Sequence, residues 1–207
     1  MPRFFVKNEQ INENEIIILG EDVKHIKNVL RKQIGDYLEI CNHDTGNAYK
    51  CEITQLNDNE VTNIIIEEID GLESKIKVDI YQGLPKADKM ELIIQKSIEL
   101  GVNAIIPVEM KRCVVKLDSK SENKKIERWQ KIAESAAKQS GRSIVPEVRH
   151  MINIKEIAKL KESYDSIIVC YENEKENYIK NELLKLKNKD EVKIAIVIGP
   201  EGRVRRK

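Results

Sequence analysis

Near the C-terminal end, Val192-Lys193-Ile194-Ala195-Ile196-Val197-Ile198 forms a near-continuous apolar run that stops at Gly199-Pro200-Glu201-Gly202. A short apolar run closed by Gly-Pro predicts a buried central strand, the pattern of a parallel sheet covered on both faces. Ligands of open α/β sheets sit just beyond the carboxyl ends of such strands. Gly199, Pro200, Glu201 and Gly202 are therefore the first candidate ligand loop, where glycine lets backbone approach a ligand and proline stiffens the turn. An ordinary strand-to-helix turn has the same composition, so the tetrapeptide leaves both readings open.

Upstream the texture is different. Between residues 3 and 70, short strands are expected at Phe4–Val6, Glu15–Leu19, Tyr37–Cys41, Ala48–Gln55 and Val61–Ile69. Alternation in Tyr37-Leu38-Glu39-Ile40 and Tyr49-Lys50-Cys51-Glu52 marks half-buried strands of a small barrel or sandwich. One helix interrupts them over Val23–Arg31, with Asp22 as its cap and Val23, Ile26, Val29 and Leu30 as its apolar face. Lys24, Lys27, Arg31 and Lys32 form the densest basic cluster of this region, the place from which any nucleic-acid contact there would have to come.

After Gly71-Leu72-Glu73-Ser74, strands alternate with helices. This predicts an α/β domain over 72–207 that follows a β-rich domain over 1–71. Its strands are Val78–Gln82, Val102–Val108, Ser166–Tyr171 and Val192–Ile198. Its helices are Asp88–Leu100, stopped by Gly101, and Ser121–Ser140, stopped by Gly141, with shorter ones at Asn153–Lys161 and Lys175–Lys187. Ile126, Trp129, Ile132, Ala133, Ala136 and Ala137 make the buried stripe of the longest helix.

Composition removes several function classes. The 207 residues are 41% hydrophobic and 34% charged with a net charge of +1. The chain therefore has no global basic field, and any nucleic-acid contact must come from local clusters. No apolar stretch is long enough for a membrane span, and no signal peptide is visible, so a cytoplasmic location is expected. Cys41, Cys51, Cys113 and Cys170 are dispersed, and His25, His43 and His150 lack ligand spacing, so reduced, mostly buried thiols are expected and no metal. There is no G-x-x-x-x-G-K-[ST], G-x-G-x-x-G or G-x-S-x-G, which argues against a P-loop ATPase, a dinucleotide enzyme and a serine hydrolase.

Two further clusters carry chemistry. Gln139-Ser140-Gly141-Arg142-Ser143 ends a helix with a forked cation that suits phosphate, carboxylate or a base edge, or simply a solvated helix end. Gly83-Leu84-Pro85-Lys86-Ala87-Asp88-Lys89 is a strand-to-helix loop with two lysines, open to either phosphate binding or solvation. The basic residues of the longest helix read mainly as a solvated face.

Taken in order, these stretches resemble the RsmE family of bacterial 16S ribosomal RNA methyltransferases. The resemblance runs through Pro2-Arg3-Phe4-Phe5-Val6, His25-Ile26-Lys27-Asn28-Val29-Leu30-Arg31 with Gly35-Asp36, and Met90-Glu91-Leu92 onward to Gly101-Val102. It continues through Arg112-Cys113 with Val115-Lys116-Leu117-Asp118-Ser119, Trp129-Gln130-Lys131-Ile132-Ala133, Gln139-Ser140-Gly141-Arg142 and Val145-Pro146-Glu147, ending at Ile198-Gly199-Pro200-Glu201-Gly202. Each piece is modest alone; their order from residue 2 to residue 202 carries the resemblance.

The resemblance implies a PUA-like β-barrel that helps hold RNA, then a SPOUT-type α/β domain whose C-terminal segment forms a trefoil knot. It implies S-adenosylmethionine as methyl donor, N3 of a uridine in 16S ribosomal RNA or the small subunit as target, and a homodimer. It assigns the cofactor loop to Gly199, Pro200, Glu201 and Gly202. Arg142 is expected to contact RNA or stabilise the uridine anion as the catalytic candidate, and Lys86 and Lys89 to steer phosphate. Glu99 and Glu201 are the carboxylates considered as base. The family pattern breaks at Arg203, so the expectation is a truncated domain with an incomplete knot, weak in cofactor binding. The alternative is a catalytically inactive remnant that binds RNA or dimerises.

Overall fold

The computed structural model describes residues 3–69, 73–86, 88–111, 113 and 117–200. It divides into two compact units, Met1–Glu73 with Gly141–Val145, and Ser74–Ser140 with Pro146–Lys207. The short excursion of residues 141–145 into the first unit has no signal in the sequence.

The first unit contains β1 (Arg3–Val6), β2 (Ile11–Asn12), β3 (Glu15–Leu19), a single helical turn α1 (Glu21–Lys24), β4 (Tyr37–Asn42), β5 (Ala48–Leu56) and β6 (Glu60–Ile69). They form one six-stranded sheet in the order β1-β4-β5-β6-β3-β2. The β1–β4 pair is parallel, with Arg3 opposite Glu39, and the other pairs are antiparallel. Phe4 and Val6 of β1 share one core with Ile16 and Ile18 of β3, Leu38 and Ile40 of β4, and Cys51 and Ile53 of β5. Strands far apart in the sheet order can share a core only if the sheet rolls on itself, and the register shifts at Lys50/Cys51 and Ile53/Gln55 of β5 help it curl. The unit is thus a small rolled sheet and not a two-sheet sandwich.

The helix expected over Val23–Arg31 is the main correction here. It begins at Glu21 behind Gly20, which has φ +76°, so Asp22 lies in the first turn and is not the cap. From His25 to Val29 the turn widens to a π-helix, with the Leu30 amide donating to the His25 carbonyl at 3.0 Å. Widening changes the angular step, so Val23 and Ile26 reach the core while Val29 is turned out to 65% exposure. Arg31 falls beyond the helix in the left-handed region, at φ +52°.

The second unit contains β7 (Ile76–Gly83), α2 (Lys89–Glu99), β8 (Ala104–Glu109), α3 (Ser119–Ser140), β9 (Glu147–Val148), β10 (Ile152–Asn153), α4 (Ile154–Ile157), β11 (Ser166–Val169), α5 (Ile179–Leu184) and β12 (Val192–Ile198). The sheet order is β10-β8-β7-β12-β11, with β9 also on β8, and every pair is parallel. The parallel α/β expectation is met, and β12 lies between β7 and β11 as its apolar run requires. Tyr81, Ala104, Ile106, Val108, Ala195 and Val197 pack one core with Ile157.

Helix ends follow local chemistry. Gly101 sits at φ +97°; its amide donates to Ile98 and that of Val102 to Ser97, closing α2 with the paired bonds of a Schellman motif. The Asp118 carboxylate accepts the Ser121 amide at 2.7 Å, so α3 starts two residues before the expected Ser121. Asn153 and Glu156 form a capping box at α4. That helix lasts one turn before tightening to a 3₁₀ stretch over Ala158–Ser163, and α5 is far shorter than the expected Lys175–Lys187. The strands β9 and β10 have no sequence signature, since two residues carry no periodicity.

Candidate functional site

β12 delivers Gly199 and Pro200 to the carboxyl edge of the sheet beside the end of β7, and both are buried. The approach is close. A Cβ placed on Gly83 would lie 2.6 Å from Pro200 Cδ, 2.7 Å from Pro200 N and 2.9 Å from Met110 Sδ. Only glycine fits at Gly83, because real Cβ atoms do not tolerate such contacts. The preceding Gln82 is buried, and its amide nitrogen donates to the Gly83 carbonyl at 2.8 Å and to the Gly199 carbonyl at 3.3 Å. One side chain thus fastens the last turn of β12 to the last turn of β7. Gln82 and Gly83 give no sequence signal, because their role depends on strands more than a hundred residues apart meeting side by side.

An open groove of about 510 Å³ runs from this edge along α2, lined by Gln82, Pro85, Lys89, Ile93, Ser97 and Ile198 among others. Its size is that of a small-ligand site, with mainly apolar walls and few polar groups. Lys89 therefore shares the groove with Gln82 and Ile198 at the ends of β7 and β12, and Lys86 is exposed on the preceding loop. Glu201 and Gly202 lie outside the described residues. Glu99 is held in an ion pair with Lys96 at 2.7 Å.

Arg142 belongs to the first unit. Its Nε donates to both carboxylate oxygens of Glu73, at 3.0 and 2.9 Å, and its Nη2 to Oε2 at 2.6 Å. Glu73 also accepts from the Ser143 amide at 2.9 Å, the Ser143 hydroxyl at 3.2 Å and the Ile144 amide at 3.3 Å. Burial alone would raise the Glu73 pKa. The bonds and charge of Arg142 and the backbone amides outweigh burial and hold it below the usual carboxylate value. Arg3 joins the same region, pairing with Glu39 and donating to the Gly141 carbonyl. The carboxylate partner of Arg142 is invisible in sequence, sixty-nine residues upstream.

The basic cluster of the first unit splits in two. Lys27 pairs with Asp58 at 2.6 Å and Lys32 lies 4.0 Å from Asp36. Lys24 and Arg31 are exposed and have no ion-pair partner among the described residues. Burial pushes the thiols of Cys41 and Cys51 up to about 11 and about 12, whereas Cys113 and Cys170 are only partly buried. Among the described residues no group of His, Cys, Asp and Glu could hold a metal ion, and no helix is long and apolar enough to cross a membrane.

Comparison with known proteins matches both units. A family profile described as an RNA methyltransferase domain matches residues 72–207, and one described as an RNA methyltransferase PUA domain matches residues 18–66. The chain is 43% identical over 176 residues to ribosomal RNA small subunit methyltransferase E of Bacillus subtilis, covering 83% of this chain and 68% of that relative. It is 33% identical over 205 residues to the protein of the same name from Mesomycoplasma hyopneumoniae, covering 98% of this chain and 82% of the other. The solved structure of a Neisseria gonorrhoeae ribosomal RNA small subunit methyltransferase E bound to S-adenosyl methionine is similar with a TM-score of 0.78 at 29% identity, covering 100% of this chain and 82% of that one. A PUA-like unit followed by a parallel-sheet RNA methyltransferase domain, with identity of this level across most of its length, means that the chain belongs to the ribosomal RNA small subunit methyltransferase E family.

Proposed function

We propose that this chain transfers a methyl group from S-adenosylmethionine to N3 of a uridine in 16S ribosomal RNA. The observation that supports this most is the strand-end turn at Gly199-Pro200, packed on Gly83 and tied by Gln82, in a member of this family. The residues present suit the cofactor. The groove beside the Gly199-Pro200 turn offers apolar walls from Pro85, Ile93 and Ile198, with Gln82, Lys89, Lys96 and Ser97 as polar groups. When bound, S-adenosylmethionine supplies a methyl group on a positively charged sulfur, so the protein needs no nucleophile of its own.

The chain's own residues bind, orient and attract. Gln82 fixes the Gly199 carbonyl, Pro200 stiffens the turn, and Glu201 and Gly202, next in sequence, are the remaining cofactor-binding candidates. Lys86 and Lys89 draw RNA phosphate toward the groove, and Lys24, Lys27, Arg31 and Lys32 hold RNA on the first unit. Uridine N3 must lose its proton. Of the two carboxylates considered, Glu99 is paired with Lys96, and Glu201 is the one adjoining the turn. Arg142, whose Nε and Nη2 are engaged by Glu73, enters as a positioning residue. The enzyme works in the cytoplasm as a SPOUT-type homodimer, as the resemblance implies.

The test is to incubate unmodified small subunits with the protein and methyl-labelled S-adenosylmethionine, then map the label. Label on one uridine base with its pairing edge blocked is the expected result. Label on ribose or another base overturns the N3 assignment, and no label together with no calorimetric binding of S-adenosylmethionine overturns the whole reading.

A further inference from the structure

Residues 21–36 of the first unit combine features that are individually unfavourable for a free protein. After α1 the chain widens into the π-turn at His25–Val29, and the Lys32 amide closes back on the Ile26 carbonyl at 3.1 Å. Insertions of this kind occur frequently at functional sites. Arg31 holds φ +52° with a full side chain, a conformation that persists only where the surroundings impose it. On either side of it, Val29 and Ile34 are 65% and 66% exposed. Chain reach keeps those two aliphatics within about 18 Å of each other. Arg31 and Lys24 stand exposed with no ion-pair partner among the described residues, and Lys27 and Lys32 add positive charge already shared with Asp58 and Asp36.

We propose that this knuckle, Lys24 to Ile34, is where the first unit grips single-stranded RNA, with Val29 and Ile34 against unstacked base faces and Arg31 between base and phosphate. The inference rests on the ribosomal RNA methyltransferase reading above. Charge complementarity selects the occupant: exposed aliphatics set among unpaired cations suit a ligand with apolar faces and an anionic backbone, whereas a duplex hides its base faces. A planar guanidinium can also stack on a base as an ammonium cannot. The widened turn keeps Val29 on the surface, where an α-helical step would face it inward with Val23 and Ile26.

The contributions separate by salt. Val29→Ser with Ile34→Ser in the full chain should weaken binding of an unstructured twelve-nucleotide RNA about tenfold, with the slope of log affinity against log salt unchanged, because no phosphate contact is lost. Arg31→Gly keeps the positive φ and removes the side chain. It should weaken binding and reduce that slope by about 0.7, the value of one single-strand phosphate contact. Duplex of the same sequence should bind the wild type and the aliphatic double variant alike. If wild type binds the single strand and both variants bind it equally well with the same slope, the inference is overturned. It is overturned too if the aliphatic variant changes only the sedimentation of the protein, which would make the knuckle a protein contact. Wild type that binds no RNA and incorporates no methyl label instead overturns the methyltransferase reading. If the serine variant lowers the melting temperature, Arg31→Gly alone decides, since it relieves the backbone.

Discussion

Each unit holds a carboxylate in a web of donors, and the two webs do different work. Glu73, at the chain end of the first unit, collects a guanidinium, a hydroxyl and two backbone amides from residues 142–144. Asp79, in the middle of β7, is 0% exposed and accepts from Asn103 Nδ2 at 2.6 Å and Tyr164 OH at 2.7 Å. Tyr81 OH extends that web to Tyr164 at 2.7 Å, and Arg149 lies 4.0 Å away. Glu73 fastens a loop that would otherwise leave its backbone amides unpaired, while Asp79 braces β7 against the residues just before β8 and just before β11. The difference is solvent. The Glu73 and Arg142 side chains are 22% and 11% exposed, so water can replace part of a broken web there, and none can reach Asp79.

Asp79→Ala should therefore be the costliest single change. It removes the acceptor of two hydrogen bonds at once, stranding the Asn103 amide and leaving the Tyr164 hydroxyl only that of Tyr81, at about 3–5 kcal/mol for the two bonds together. Urea unfolding measures it. Glu73→Ala should cost less, about 2–3 kcal/mol, and the comparison breaks if the order is reversed.

Glu73→Gln and Arg142→Lys then sharpen what Arg142 does. Either change removes a forked, charge-assisted pair, at about 2 kcal/mol. If Arg142 only positions residues 141–145, both variants should show similar methyl transfer at a temperature where both are folded. If it acts on RNA, Arg142→Lys should be far the slower, since Glu73→Gln leaves the guanidinium intact. The pH dependence adds a second readout. Glu73 has its folded pKa held below the unfolded value, so its contribution is full above the unfolded pKa and is lost as pH falls through the folded one. Stability in acid should fall more shallowly in Glu73→Gln. Tyr164 gives the opposite limb. Burial, then its bonds to Tyr81 and Asp79, raise its pKa, so its contribution is present below the phenol's ordinary value near 10 and declines as pH rises above it. Tyr164→Phe should lose that alkaline decline.

What is legible in the sequence follows the same divide between periodic burial and specific polar contacts. β12, α2 with its stop at Gly101, and the alternating strands β4 and β5 announce themselves, because each repeats an apolar pattern over several residues. The π-turn does not. Val23, Ile26, Val29 and Leu30 satisfy the α-helical period, and nothing local reveals that the turn widens and throws Val29 outward. Glu73 and Asp79 are hidden because a carboxylate in a loop or strand usually means solvent. A cue exists for Asp79: a charge inside Val78-Asp79-Ile80-Tyr81, on a strand buried by its neighbours, has to find donors. At the strand-end site, Gly199 and Pro200 are legible as a turn, while Gln82 and Gly83 acquire meaning only once β7 lies beside β12.

The smallest effects come from two glycines in left-handed turns, one per unit. Gly101, at φ +97°, has nothing within 4 Å of an added Cβ, so Gly101→Ala should cost only backbone strain, about 1 kcal/mol. Gly46, at φ +79°, would bring its Cβ to 2.8 Å from Ile144 Cγ1 and 3.0 Å from Cδ1. Gly46→Ala should therefore cost about 0.5–1 kcal/mol more than the strain alone, as overpacking against a side chain that can partly move. Ile144 sits in the segment that Glu73 holds through the Ser143 and Ile144 amides. Releasing that hold lets Ile144 retreat, so Gly46→Ala should be milder in a Glu73→Gln background, with a coupling of about 0.5 kcal/mol in a double-mutant cycle. Gly101→Ala in the same background should add without coupling, having no contact to relieve. Equal coupling at both glycines would mean that Glu73 acts on the stability of the whole chain and not on the placement of residues 141–145.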